Sequence, residues 1–158
     1  MRDTAPQPPS RLKLHAVDGD DLQIVSAALS GAAIKRGDLG FDRRARRFAL
    51  VGNRFRWEGG AFPDGGGSRI RTGIQINDIE AVSQLGLADV GKETVLELLA
   101  IELQPDDEPP GATLILHFAG GAAVRLSVGC IDVLVDDMGR AWYTPNRPQH
   151  EDDATGQA

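Results

Sequence analysis

Residues 94–139 read TVLELLAIELQPDDEPPGATLILHFAGGAAVRLSVGCIDVLVDDMG, and this stretch decides the fold class. Apolar and polar residues alternate over residues 113–119 and again over 123–128, which is the period of a half-buried β-strand. The AGG sequence between them is typical of a hairpin turn. Residues 95–104 predict a preceding strand, and the PDDEPPG sequence of 105–111 predicts an exposed loop. The stretch therefore predicts an antiparallel sheet.

The end of this stretch fits two structures. Ile131, Leu134, Val135 and Met138 fall at the i, i+3, i+4 and i+7 positions of an amphipathic helix, and the glycine that follows is typical of a helix end. This spacing favours a C-terminal helix, although Ile131, Val133 and Val135 also fit a continuing strand. The neighbouring Asp136–Asp137 pair is predicted to be solvated.

Toward the N-terminus, apolar and polar residues alternate over 12–16, which predicts a short strand. Asp18 follows at a helix N-cap position. The apolar spacing of 22–29 predicts a helix that ends near Gly31. Further strands are predicted at 33–42, 48–58, 70–76 and 79–87, with a turn at 43–46 and a glycine-rich loop at 59–68. The positions of 48–58 that are expected to face inward change parity midway, so we predict a β-bulge or a sharp bend at Gly52–Asn53.

Together these elements predict an α+β domain that is mostly β. Counting from residue 33 gives about seven antiparallel strands and a C-terminal helix, preceded by an added N-terminal strand and helix. This order resembles the pleckstrin-homology-like barrel, in which seven strands are capped by a helix. We expect one globular domain at 12–148, a disordered leader at 1–11 and a disordered tail at 149–158.

Composition limits the class of protein. No apolar stretch approaches the length of a membrane span. The lone Cys130 cannot form an internal disulfide, which fits a reducing compartment. We therefore expect a cytoplasmic protein. The net charge of −6 is unevenly spread, because residues 35–71 contain ten Lys or Arg against four Asp or Glu. General nucleic-acid binding is therefore unlikely on this charge distribution, whereas an acidic partner or a small anionic ligand fits the basic segment.

The basic segment is the candidate anion-binding or partner-binding site. An arginine fork suits bidentate contacts to carboxylate or phosphate. In the pleckstrin-homology-like resemblance this segment is the first hairpin, where lipid-binding members hold phosphate with basic residues. The alternative is a solvated hairpin whose arginines pair with nearby acids and protect a sheet edge. The candidate residues are Arg43, Arg44, Arg46, Arg47, Arg54, Arg56 and Trp57.

No other residue set predicts chemistry. His15, His117 and His150 are scattered without ligand spacing, so we predict no metal, and the absence of cofactor or catalytic motifs predicts no cofactor. Cys130 is interpreted as a buried structural thiol. The leading hypothesis is a non-enzymatic interaction module that uses the basic hairpin. The alternatives are a small-molecule-binding or catalytic domain, with its site between the sheet and the N-terminal helix, and a homodimer formed through an open strand edge.

Four segments are similar to those of an uncharacterised bacterial family, the domain of unknown function numbered two-nine-four-eight. The segments are LKLHAVDGDDL, FALVGNRFRWE, RIRTG and CIDVLVDDMGRAW, and the resemblance spans residues 12–150. It implies a small cytoplasmic bacterial protein that is a complete unit. It transfers no catalytic or binding residue to this sequence.

Overall fold

The structure of the protein is a computed structural model that describes residues 11–60 and 62–148. In this part of the chain one α-helix, α1 (Gly19–Leu29), accompanies a ten-stranded sheet. The strands are β1 (Lys13–Ala16), β2 (Ala32–Lys35), β3 (Leu39–Asp42), β4 (Arg47–Phe55), β5 (Gly67–Ile76), β6 (Ile79–Leu85), β7 (Val95–Pro105), β8 (Ala112–Phe118), β9 (Ala123–Val128) and β10 (Val133–Thr144).

The sheet is antiparallel and open. Its strand order is β1-β10-β5-β4-β2-β7-β8-β9-β6, with β3 beside the first half of β4. The prediction of a mostly β, antiparallel fold is confirmed. The count of seven strands is wrong, because a 3₁₀ turn at Arg36–Asp38 splits the first predicted strand and because β1 and β10 join the sheet. The pleckstrin-homology-like barrel stays a prediction.

The predicted C-terminal helix is wrong, since these residues form β10. Val133 and Val135 are buried, whereas Leu134 and Asp136 are exposed, so the segment alternates with the period of a strand. Asp137 takes the next buried position, and a carboxylate there hides the alternation from a hydrophobicity pattern. The prediction that Asp137 is solvated is therefore also wrong.

The predicted N-terminal strand and helix are confirmed as β1 and α1. The Asp18 carboxylate caps the helix by accepting a hydrogen bond from the backbone N–H of Asp21 at 2.8 Å. Gly31 follows the helix with a φ of 84°, a conformation that favours glycine. The buried face of α1 joins the sheet in one continuous hydrophobic core, through Leu22, Val25 and Leu29.

Gly52 marks the point where β4 changes neighbours, but the predicted β-bulge is absent. Residues 48–55 of β4 pair with β5 in an unbroken register. The apparent change of phase arises because Arg54 occupies the inward position, next to the equally buried Phe55. On its other edge β4 pairs with β3 before Gly52 and with β2 after it.

Replacing Gly52 with alanine is expected to destabilise the protein by about 1–3 kcal/mol, because the site is already filled. An added Cβ would lie 2.5 Å from Cγ1 of Ile34 and 2.8 Å from the carbonyl oxygen of Ala33. Gly73→Ala is the matched control on the adjacent strand, where the nearest atom is the flexible Met138 methyl at 3.4 Å. Urea unfolding of both variants checks this, and equal stabilities would contradict it.

Some expectations concern chain ends or membranes. The disordered leader and tail fall almost wholly on residues 1–10 and 149–158, which lie outside the described residues. Within the described ranges, no helix has the length and apolar character needed to cross a membrane.

Candidate functional site: the basic hairpin and the groove beside it

The β3–β4 hairpin presents two arginines whose side chains have no partner among the described residues. Its turn covers residues 43–46, and the side chains of Arg43 and Arg44 are exposed. Neither side chain forms a hydrogen bond or an ion pair with any described residue, although the Arg43 carbonyl oxygen accepts from the backbone N–H of Arg46 at 3.3 Å. Of the seven predicted site residues, these two remain available to bind another molecule through their guanidinium groups.

Arg46 and Arg47 in the same hairpin bind the chain itself. Arg46 adopts a positive φ of 52°, and its Nε donates to the carbonyl oxygen of Ile79 at 3.1 Å. Its Nη2 lies 2.9 Å from the Asp78 carboxylate. Arg47 Nε donates to the side-chain oxygen of Asn77 at 3.3 Å. Arg46 therefore fastens the start of β6 to the hairpin turn, and its role is structural.

Arg54 is completely buried, and its guanidinium group is bonded within the protein. Its Nε and Nη2 donate to the two oxygens of Asp137 at 2.8 and 2.7 Å. Its Nη1 and Nη2 donate to the two oxygens of Glu58 at 3.1 and 2.6 Å. The fifth N–H, on Nη1, donates to the carbonyl oxygen of Phe55 at 3.3 Å. Every guanidinium hydrogen is thus satisfied inside the protein.

The Asp137 carboxylate is also hydrogen-bonded within the protein through both of its oxygens. Besides the two bonds from Arg54, its carboxylate accepts from the Thr72 hydroxyl and from the backbone N–H of Leu12, both at 2.7 Å. The backbone N–H of Asp137 in turn donates to the carbonyl oxygen of Leu12 at 2.9 Å. These contacts join β4, β5, β10 and the residue that precedes β1 through one buried ion pair.

The ion pair keeps its members charged. Burial raises the pKa of Asp137, but the hydrogen bonds from Arg54, Leu12 and Thr72 outweigh that effect and hold the pKa below its ordinary value. Burial would likewise lower the pKa of Arg54, and the bonds to Asp137 and Glu58 raise it instead. The hydrogen bond from Arg54 lowers the pKa of Glu58. All three groups are ionised at neutral pH.

Arg56 and Trp57 also face the protein interior. Arg56 Nη1 donates to the Ser68 hydroxyl at 3.0 Å, and its side chain is only 11% exposed. The indole N–H of Trp57 donates to the carbonyl oxygen of Ser30 at 3.0 Å. The Trp57 ring packs against Phe55, with ring centroids 4.7 Å apart. Neither residue belongs to the exposed part of the hairpin.

A groove of about 670 Å³ opens beside Arg43. Its two sides are β3 and β6, which pair with β4 and β9 respectively and not with each other within the described chain. Phe48 of β4 and Val124 of β9 form part of its lining. Arg46 bridges to β6 at one end, and at the other end Arg36 Nη2 donates to the side-chain oxygen of Gln84 at 3.2 Å.

The groove has a mixed lining of six apolar residues and four polar or charged ones. Its charged residues are Arg36, Arg43 and Glu80. The described lining contains no Ser, Thr, Cys, His or Lys, the side chains that most often act as nucleophiles or proton donors. This composition suits binding. The sequence-based alternative placed a small-molecule site between the sheet and the helix, but the groove lies between two strands.

The described histidines and the cysteine each have a hydrogen-bond partner. His15 hydrogen-bonds Asp132, and His117 hydrogen-bonds Glu102, each at 2.7 Å, while His150 lies outside the described residues. The half-buried Cys130 donates to Asp78, and this bond together with burial raises the pKa of the thiol, which disfavours the reactive thiolate. No cluster of three or more potential metal ligands occurs among the residues described.

Sequence reasoning missed the residues that bind Arg54 and those that form the groove. Glu58, Thr72 and Asp137 carried no motif, although the regular strand phase of β4 and β5 could have placed Arg54 and Thr72 inward. The groove could not be found in the same way, because strand periodicity does not reveal that β3 and β6 lie on either side of one opening.

Comparison with known proteins gives a family but no activity. The sequence profile of the family described as "Protein of unknown function (DUF2948)" matches residues 12–150. The searches of curated proteins and of solved structures each returned no match. The match covers nearly the whole described chain, and the protein therefore belongs to the DUF2948 family.

Proposed function

We propose that the protein is a non-enzymatic interaction module that binds an acidic protein surface through Arg43 and Arg44. The observation that supports this is the contrast within one hairpin. Arg46, Arg47, Arg54 and Arg56 are each bonded within the chain, as described above, whereas Arg43 and Arg44 have no described partner. Two neighbouring arginines without a described partner, in a chain that is acidic overall, offer a local positive site for a negatively charged surface.

The groove supports a protein partner over a small anion. It places apolar side chains beside Arg43, and one of them, Phe41, is 37% exposed. A phosphate-sized anion would contact the guanidinium groups and leave this apolar surface in water. A protein segment covers both, which is the usual combination of apolar centre and charged rim in an interface. The lone cysteine suits a reducing compartment, so we propose that the module acts in the bacterial cytoplasm.

Arg43→Glu with Arg44→Glu is expected to reduce capture of the partner from bacterial lysate by at least about tenfold, because two attractions become repulsions. Quantitative mass spectrometry of the captured proteins at roughly 0.05 and 0.3 M salt measures this, and wild-type capture should weaken at the higher salt. The captured protein is then purified and titrated against both forms.

Arg71→Glu with Arg140→Glu is the matched control, because both arginines are exposed, have no described partner and lie outside the hairpin. It changes the net charge equally and should capture as the wild type does. Equal loss in both double variants would attribute binding to overall charge and overturn the proposal. A wild type that captures only a second copy of itself would favour the homodimer instead.

A further inference from the structure

The strand β6 has backbone groups along the groove that pair with no described residue. The N–H of Ile79 donates to Arg46 rather than to β9, and the N–H of Gly129 donates to Asp78. These bonds fix which β9 residues face β6, because hydrogen-bonded and non-hydrogen-bonded pairs alternate in an antiparallel ladder. Val82 and Gln84, opposite Leu126 and Val124, then fall at non-hydrogen-bonded positions. Their N–H and C=O groups therefore point into the groove.

Two side chains that face inward at the groove are only partly covered by the described residues. Phe41 and Val82 lie opposite the buried Phe48 and Leu126, so both are in the inward phase of their strands. Yet Phe41 is 37% exposed and Val82 is only half-buried. Two strands thus face each other with inward side chains that remain partly uncovered. This is the arrangement expected where a sheet has room for one more strand.

The charge of the groove specifies what could fill it. Arg43 lies on one rim, with Arg44 beside it in the same turn, and Arg36 is at the far end. Glu80 is the carboxylate that opposes them. The net charge of these four side chains is positive, so the groove favours an acidic segment and repels a basic one.

We infer that the groove binds an extended segment of the acidic partner, which adds to β6 as a further strand. This inference depends on the proposed function. The segment hydrogen-bonds Val82 and Gln84 through its backbone, places alternate apolar side chains on Phe41 and Val82, and presents its acidic residues to Arg43. About six residues would span the exposed length of β6 at roughly 3.3 Å each.

An extended segment fits better than a second copy of the folded domain. Each edge strand of a folded sheet is already paired on one side and attached to the rest of that sheet. The groove is flanked on both sides, by β3 and by β6, and is bridged at its ends by Arg46 and Arg36. A single strand without neighbours can enter such a space, whereas a sheet edge would collide with β3.

The first test measures backbone protection with a defined probe. The probe is a capped ten-residue peptide of alternating Glu and Val, and the protein is the full chain labelled with ¹⁵N. At a peptide concentration ten times the Kd, exchange of the Val82 and Gln84 amide hydrogens should slow about tenfold. The amides of Ser83 and Leu85 should change little, because they already bond to β9.

Three outcomes distinguish this inference from the proposed function. Alternating protection along β6 supports strand addition. Binding that needs Arg43 and Arg44 but leaves Val82 and Gln84 unprotected overturns strand addition and keeps the acidic-partner proposal. An absence of peptide binding also overturns strand addition, and the lysate capture then decides the proposed function by itself. A peptide of alternating Lys and Val is the charge control and should not bind.

A pair of substitutions at one position tests the backbone bond separately. Gln84→Ala removes the side chain and its bond to Arg36 but keeps the N–H that points into the groove. Gln84→Pro removes that N–H as well, and the β6–β9 ladder does not use it. Peptide affinity should fall about fivefold further in the proline variant than in the alanine variant. Equal affinities of the two folded variants would contradict the inference.

Discussion

Replacing Arg54 with methionine is expected to lower the free energy of unfolding by about 3–5 kcal/mol, because it leaves the buried Asp137 carboxylate without its counter-charge. Methionine is unbranched and fills irregular space, so the effect reports the lost pairing more than a cavity. Urea unfolding followed by circular dichroism measures it. The loss would remove a large part of a total stability that is roughly 5–15 kcal/mol in most domains.

Two further variants separate charge pairing from volume. Arg71→Met changes an exposed arginine on β5 and is expected to alter the stability by no more than about 0.5 kcal/mol. Arg54→Met combined with Asp137→Leu removes both buried charges and should recover at least half of the loss. Glu58 then remains without Arg54, but its side chain is 39% exposed and can be hydrated. A single Arg54 variant that loses less than about 1 kcal/mol would contradict the assigned role.

The wild-type protein is expected to lose stability steeply as the pH falls from about 5 to about 3. The pKa values of Asp137 and Glu58 are lowered in the folded protein, so the unfolded chain binds protons more readily than the folded one. Their stabilisation is complete above the pKa of unfolded carboxyl groups, at about 4, and is lost as the pH falls through the folded values.

Thermal unfolding across this pH range tests the assignment. The double variant Arg54→Met with Asp137→Leu should show a smaller drop in Tm over the same range, because its main acid-sensitive pair is gone. The other carboxylates are the same in both proteins, so their contributions cancel in the comparison. Identical pH slopes would show that the ion pair does not control acid stability.

The sequence revealed the strands wherever apolar residues carried the alternation. The β8–β9 hairpin and the capped helix α1 were predicted within a few residues of their observed bounds. Two errors had one cause. Arg54 and Asp137 occupy buried positions in β4 and β10, so each strand appeared to change its period at a charged residue. Each charged residue is unexpected at a buried position of its own strand. The ion pair that the two form across the sheet explains both positions.

The candidate site was predicted in part for a similar reason. Counting arginines located the basic hairpin but could not distinguish the bonded Arg46 from the unpaired Arg43. That distinction depends on Asp78 and Ile79, which lie more than thirty residues away in sequence. The groove depends on longer separations still, since β3 and β6 reach the same opening through a path of strands that a local pattern does not specify.

The buried ion pair also constrains how this family can change over generations. A lineage that loses Arg54 or Asp137 first must survive with an unpaired internal charge, although a descendant that lacks both would fold again. A protein with only one of the two charges is destabilised, and this limits stepwise replacement. We therefore expect the two residues to be present together or replaced together. Thr72 and Leu12, which bond the same carboxylate, would then be free to vary only after the pair has gone.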